Sequence, residues 1–395
     1  MALYLSPLVD VREVDLSTTI PAVATSIAVT ALRYTWKGDE LKETLISDVD
    51  ELIEQFGEPR GRSYEDILSS TGYLKYGNKL YCTRVLPVGS TFAGTYGAVT
   101  AGSTYTAYTS GAGNAYTLAD LEAGQSTDPD EWPDFVSFST APESAAKIAV
   151  IAKSRGVWGN NVRVAFVGYT TYTTAVSAAG DTSYPDSPAM EDTVWSDLED
   201  TDKIVEDAYQ FLVFVRVAPQ GTAAGDVSDD AVIKEVFKVS TKSTATDDEN
   251  KNIFVENVIN NESNYIRIAM DNTTKETDVS AFWTDYQTLG GGCTSNDDFS
   301  TDVILDADTI EAFELYEDAE LIDVNIFIDS NKSTTVKSEL IDICEARKDS
   351  MSILDCAKTD VVNNRGSEAT DLRDYRLQTF NENTSYAAFY GNWLE

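Results

Sequence analysis

The balance between helix and strand text changes twice along this chain, and that change constrains the fold more than any single motif. Residues of about 20–87 read as strand, helix, helix and strand, and residues from about 288 onward alternate helix with strand again. The text between them is β-rich. Alternating strands and helices specify a partly parallel sheet covered by helices, whereas a run of strands forms bodies of its own. With 395 residues the chain is also too long for one ordinary core. The expected fold class is α+β and multidomain, with an inner α/β domain built from both chain ends and nested α/β and β-rich insertion domains. The expected boundaries are 1–20 for an N-terminal arm and part of the inner domain, and 21–87 for a small α/β domain completed by a segment near 270–287. An outer β-rich insertion follows at 88–145, a β-rich domain at 146–287, and the rest of the inner domain at 288–395.

In the first α/β block, "ATSIAVTALRYTW" predicts a strand and "SDVDELIEQFGEP" a short helix. Ser47 is placed to cap that helix with Asp50 at the third position, and Gly57 and Pro59 end it. "SYEDILSSTGYLKYGN" predicts a second helix, capped by Ser63 and stopped by Gly77, with Tyr64, Ile67, Leu68 and Leu74 on one face. "KLYCTRVL" reads as a strand. In the second block "ADTIEAFELYED", "STTVKSELIDICEARKD" and "SEATDLRDYRLQTF" predict helices, and "DVNIFIDS", "SMSILDC" and "SYAAFYGNWLE" predict strands. Val336, Leu340, Ile343 and Cys344 form the apolar side of the middle helix. Glu395 follows with no closing element, so the inner domain is expected to be incomplete at its C-terminus.

From about Ser90 to Pro142 the sequence is Gly, Ser, Thr, Ala and Tyr, which reads as an irregular surface insertion. Ordered text resumes at "KIAVIAKSRGVWGNNVRVAFVG", two strands around a Gly-rich turn, and continues with the strands "QFLVFVRVA", "EVFKVSTKS" and "NYIRIAM". The acidic "STATDDENKN" does not fit a calcium loop. Counted from Asp248, the positions that require Gly and Glu hold Ile253 and Ile259. Gly290–Gly292 lacks the spacing of a phosphate loop and reads as a tight linker turn.

Charge and composition exclude several functions. A net charge of -37 opposes binding to nucleic acid phosphates and to anionic membranes. The sequence contains no His, which removes the commonest general base and metal ligand. Cys82, Cys293, Cys344 and Cys356 form no close pair and read as buried thiols of a reducing compartment. No catalytic residue, cofactor or metal site is therefore expected. No signal-peptide pattern or membrane span is legible, which places the protein in the cytoplasm unless it is exported whole. An acidic β-rich glycosidase with paired carboxylates is the alternative from a different class. A cell-surface adhesion module is disfavoured by the same lack of a signal peptide.

The N-terminus poses its own question. In "YLSPLVDVREVDLS" Val9 and Val11 alternate with Asp10 and Arg12, then the phase slips at Glu13 and Val14 and Leu16 take over. Either a bulge sits there or the two halves face different neighbours. No hairpin turn follows.

Five stretches, in order, carry a family likeness. They are the opening "LSPLVDVREVDLS…IPAVATSIAVTALRYTWKG"; "ISDVDELIEQFGEP" with "YLKYGNKLYCTRVL"; "AKSRGVWGNNVRV"; "EVFKVSTKS…NIFVENVINNESNYIRI" with "LGGG…EARKDSMSILD"; and "NTSYAAFYGNWLE". The chain resembles contractile tail sheath proteins of myovirus-type bacteriophages. It departs from their usual text at Leu8, at Lys37, at Arg155 in place of Pro and at Asn392 in place of Pro. The resemblance implies an N-terminal arm, with Val9, Val11, Arg12, Val14 and Leu16, that adds to a neighbouring subunit's sheet. It implies self-assembly into hexameric rings stacked helically around a tail tube protein, with baseplate and tail terminator proteins as further partners. It also implies location in the virion tail after assembly in the host cytoplasm, a role that needs no covalent chemistry, and further strands beyond Glu395. The sheath of a phage-like contractile injection system is the nearest alternative.

Overall fold

The computed structural model describes residues 26–87, 90, 92–107, 147–170, 205–222, 226–271, 274–292 and 303–391. Strands, and helices longer than two turns or nearly so, are numbered in chain order. The first block gives β1 (Ala28–Arg33), β2 (Thr44–Ile46), α1 (Val49–Phe56), α2 (Tyr64–Leu74) and β3 (Leu80–Val85). The middle gives β4 (Gly94–Gly97), β5 (Thr106–Ala107), β6 (Ile148–Ala152), β7 (Val162–Gly168), β8 (Gln210–Val217), β9 (Val232–Ser240), α3 (Val255–Glu262), β10 (Ile266–Met270) and β11 (Gln287–Thr288). The last block gives α4 (Asp306–Glu314), β12 (Ile326–Ile328), α5 (Thr334–Arg347), β13 (Met351–Asp355), α6 (Glu368–Asp374) and β14 (Ala387–Tyr390). The molecule is α+β and multidomain.

Both α/β blocks enter one six-stranded sheet of order β14-β13-β12-β1-β3-β2. Every pair is parallel except β2 with β3. The first block and the last thus share this sheet through the parallel β1–β12 pair. Helices cover both faces. On one, Phe313 of α4 and Leu340, Ile343 and Cys344 of α5 pack on Val29, Ala31, Phe327 and Leu354. On the other, Leu52 and Phe56 of α1 and Ile67 and Leu74 of α2 pack on Ala28, Leu32, Leu80 and Cys82.

Local chemistry corrects three details of the sequence reading. Asp48, not Ser47, is the N-cap of α1, its carboxylate accepting the Glu51 N–H at 2.8 Å. Glu51 reaches back past the cap to the Ser47 N–H and hydroxyl at 2.8 and 2.7 Å, so the cap itself sits one residue later than expected. Gly57 ends the helix at φ 90° as anticipated. In α2 the buried positions are Asp66, Ile67, Ser70 and Leu74, while Tyr64 and Leu68 face outward at 52 % and 42 % exposure. The helix is rotated from its apolar stripe because the Asp66 carboxylate is held inside. Ser63 makes no side-chain cap bond; its hydroxyl donates to the Arg60 carbonyl.

The middle strands form two antiparallel sheets, β10-β6-β4-β5 and β11-β7-β8-β9. They pack face to face through Val150, Phe166, Val213, Val215 and Ile268, with α3 alongside. A second cluster with Leu212, Phe214 and Tyr286 lies on the opposite face of β8. All eight β8 residues are therefore buried, which explains the unbroken apolar run there. The strands around the Gly-rich turn lie in different sheets. A 3-10 turn at Val157–Asn161 carries the chain across, and Trp158 beneath it donates to the Ser154 carbonyl at 3.2 Å. α3 was not legible in the sequence, which reads there as strands and acidic loops. Within one of those loops the Asp247 carboxylate accepts the N–H groups of Glu249 and Lys251 at 3.0 and 2.8 Å.

A buried guanidinium joins the two bodies. From the end of β3, Arg84 donates to Thr35 Oγ1 and to the carbonyls of Thr35, Trp36, Gly38 and Arg155. Gly156 is required there, since its φ is +127° and a Cβ would lie 2.9 Å from Arg84 Nη2. Arg155 itself pairs with Glu40, with Nε–H 2.7 Å from Oε2. Gly290 exchanges both backbone hydrogen bonds with Gly94, so the glycine triplet returns the chain along the β4 edge. The N-terminal strand, most of the Ser90–Pro142 insertion, the boundary near 145 and Cys293 lie outside the described residues. Cys82, Cys344 and Cys356 are buried free thiols.

Candidate functional site

In the large sheet, β1 leads to β3 on one side, while β12 leads through α5 to β13 and then β14 on the other. Crevices at the carboxyl ends of strands, where the strand order reverses, are where open α/β sheets usually place their ligands. The residues that follow β1, β12 and β13 therefore mark the place to examine. Arg33 ends β1, Asp329 follows β12 and Asp355 ends β13. Asp66 of α2, Lys332 in the loop before α5 and Lys337 in the first turn of α5 face them.

One end of the cluster centres on Asp66. Its Oδ2 accepts the Arg33 backbone N–H at 2.8 Å and Nε–H at 3.0 Å, and its Oδ1 accepts from Arg33 Nη2 at 3.1 Å and Lys332 Nζ at 3.4 Å. The other end centres on Lys337, whose ammonium lies 3.2 Å from Asp329 Oδ2 and 2.9 Å from Asp355 Oδ1. Asp329 Oδ1 also accepts the N–H groups of Ser330 and Lys332, at 2.8 and 3.1 Å. Asp355 Oδ2 accepts the Asn331 N–H at 2.7 Å, and Lys337 Nζ reaches the Tyr375 hydroxyl at 3.5 Å. At the rim Glu65 accepts from Asn331 Nδ2 at 2.8 Å and Lys358 Nζ at 2.6 Å.

The charges shift one another. Burial favours the neutral acid at Asp66, but Arg33 and Lys332 overcome it and hold this carboxyl below the usual range. At Asp329 burial and the neighbouring Asp355 prevail over Lys337 and Lys332, and its pKa is pushed up to about 7. Burial lowers Lys332, against the pull of Asp66. Lys337 is raised, because Asp329 and Asp355 outweigh the effect of burial.

These groups fill their own space. Asp66, Asp329, Lys332 and Lys337 are all no more than 6 % exposed. Three cations face three carboxylates, so the arrangement binds its own parts together instead of offering a charge to a substrate. It ties α2 of the first block to β12, α5 and β13 of the last. Among the described residues no group of acids and cysteines is spaced to hold a metal ion, and no helix is long and apolar enough to cross a membrane.

None of the cluster was singled out from the sequence. The usable signal was the recurrence of an apolar strand ending in Asp, "NIFIDS" and "SILDC", with Lys337 one turn before Ile341 on a buried helix face. The expected arm residues Val9, Val11, Arg12, Val14 and Leu16 lie outside the described residues.

No family model and no curated protein matches the sequence. Among solved structures, the chain is similar to the sheath tail protein from Listeria innocua, at 12% identity and a TM-score of 0.40, over 85% of this chain and 48% of that one. It is also similar to the sheath tail protein from Desulfitobacterium hafniense, at 10% identity and a TM-score of 0.41, over 91% of this chain and 54% of the other. The chain spans about half the length of each.

Proposed function

We propose that this chain is a structural subunit of a contractile phage tail sheath. It polymerises around a tail tube and shortens to drive that tube through the host envelope during genome delivery. The observation that carries this reading is the ordered set of five sheath-like stretches, from the N-terminal strand text to "NTSYAAFYGNW". The third of them, "RGVWGNN", sits at the joint between the α/β sheet and the β-rich body, where Arg84, Glu40 and Gly156 fix the turn. A sheath subunit transmits movement between neighbours and needs no reaction chemistry, and the most concentrated set of buried charges here is spent on holding two parts of the chain together.

In this reading the subunits form hexameric rings that stack helically through heterologous contacts, which propagate because they do not close. The N-terminal arm adds a strand to a neighbour's sheet. Tail tube, baseplate and terminator proteins are the other partners, and the product resides in the virion tail after assembly in the host cytoplasm. The extent of β-rich text between the α/β blocks favours a phage tail over a contractile injection system.

Negative-stain electron microscopy of the protein expressed with any chain continuation beyond Glu395 tests the reading. Ordered tubes, or polysheath of uniform width, are expected. Persistently monodisperse particles with glycosidase activity on oligosaccharides would replace it with the enzyme alternative.

A further inference from the structure

A polymer built from chains with 66 acidic and 29 basic residues must overcome repulsion at every contact. The basic residues that could do so are not evenly spread. A cleft of about 390 Å³ opens where the Lys37–Leu45 segment and the end of α1 meet Lys153–Trp158 and Asn264–Tyr265 of the β-rich body. Lys37, Lys42 and Lys153 line it, and Lys234 and Arg267 stand close enough to repel Lys37 and Lys153 respectively. With Asp39, Glu43, Glu54 and Glu235 as the neighbouring acids, five basic groups meet four acidic ones. Elsewhere acids outnumber bases by more than two to one.

Most of these groups are already engaged. Lys42 pairs with Asp39 at 2.9 Å, and Lys153 donates to the Ser263 carbonyl at 2.8 Å beyond the end of α3. Glu235 accepts the Ser263 hydroxyl at 2.6 Å and the Asn264 N–H at 2.9 Å. Lys37 is different. Among the described residues its ammonium has neither a hydrogen bond nor an ion pair, and Glu54 is the acid whose charge acts on it. Burial, together with Lys234, holds it below the usual lysine value. At the mouth Leu45, on the open edge of the large sheet, is 47 % exposed.

We propose that this cleft is a contact site between copies of the chain, in which Lys37 receives a carboxylate from a neighbouring subunit. The inference rests on the self-assembling reading above. Charge complementarity selects the occupant: a second copy presents mostly acidic side chains, and an entering carboxylate relieves the repulsion between Lys37 and Lys234. Leu45 at the rim gives the approaching surface an apolar contact that a small inorganic anion would not use.

The test uses the assembled full-length protein, prepared from a mixture of ¹⁴N and ¹⁵N copies and treated with a zero-length carbodiimide, which joins an amine to a carboxylate only in contact. Mass spectrometry should find Lys37 coupled to an Asp or Glu of the other isotope. Links only within one copy, such as Lys37 to Glu54, would overturn the site. In sedimentation velocity, Lys37→Glu should raise the concentration needed for assembly at least tenfold and Lys37→Gln by less. Lys75→Glu, an equal charge change at the exposed end of α2, should stay within twofold of wild type. If wild type assembles and Lys37→Glu assembles equally well, the site is refuted while the sheath reading stands. If wild type forms no ordered assembly, both fall. Saturable binding of inorganic phosphate abolished by Lys37→Gln, with assembly unaffected, would make the cleft a small-anion site instead.

Discussion

One oxygen of Asp66 accepts both the backbone N–H and the side-chain Nε–H of Arg33, at 2.8 and 3.0 Å, so α2 is fixed to β1 in position and in rotation. Removing one member of a buried pair strands the others. Asp66→Asn leaves Arg33 and Lys332 facing a neutral amide, and unfolding in urea should show a loss of about 3–5 kcal/mol. Lys42→Ala, which breaks a surface pair with Asp39, should cost less than about 1 kcal/mol. Equal losses for the two would show that the cluster is no more than a surface-strength contact.

Asp329 makes the stability depend on pH in a definite direction. Its folded value is raised to about 7 by burial and by Asp355, while an unfolded aspartate titrates near ~4. Between those values the folded state holds the extra proton, so Asp329 lowers stability progressively as pH rises through that window. The difference in unfolding free energy between wild type and Asp329→Asn should therefore decline from about pH 4 to about pH 7 and then level off. Asp66 acts in the opposite sense: its lowered value contributes stability at neutral pH that is lost only on strong acidification. A difference curve that stays flat across the window would mean Asp329 keeps an ordinary carboxyl.

Arg155 stands where the resembling family has Pro, and it uses its side chain. The pair with Glu40 is mostly shielded, at 13% and 15% side-chain exposure. A double-mutant cycle with Arg155→Ala and Glu40→Ala should return a coupling of about 1–3 kcal/mol. Strict additivity would assign the joint to Arg84 and the Trp158 turn alone.

For the proposed arm, Val11→Pro should block tube formation, because it removes a ladder donor and fixes φ. Circular dichroism of the variant should still match wild type. Normal tubes from this variant would mean that the opening strand pairs within its own subunit or not at all.

The parts of the fold that could be read from sequence were those in which one signal dominates. The β-branched apolar run "FLVFVRV" reads as a strand and is one, and the α5 face of Val336, Leu340, Ile343 and Cys344 repeats at helical spacing. Reading failed where two signals compete. In α2 the apolar pattern pointed to Tyr64 and Leu68, but the electrostatic demand of Arg33 turned Asp66 inward. Ser47 and Asp48 are both good caps, and the choice fell to the one that lets Glu51 close back on Ser47. α3, "VENVINNE", is short and polar, and stands as a helix because Val255, Val258 and Ile259 pack on the sandwich core. The ion cluster depends on strands distant in sequence ending side by side, which no local pattern reveals.

The pairing of β1 with β12 also governs how the chain can be made. The Ile27 N–H finds its acceptor on Asn325, 298 residues later. At translation rates of about 5–20 residues per second, the first strand waits roughly 15 to 60 s for its partner. During that interval one edge of β1 is an open template for any other strand, including the same segment on a neighbouring ribosome. Production of this protein should therefore be more sensitive to chaperone supply and to growth temperature than its final stability would suggest.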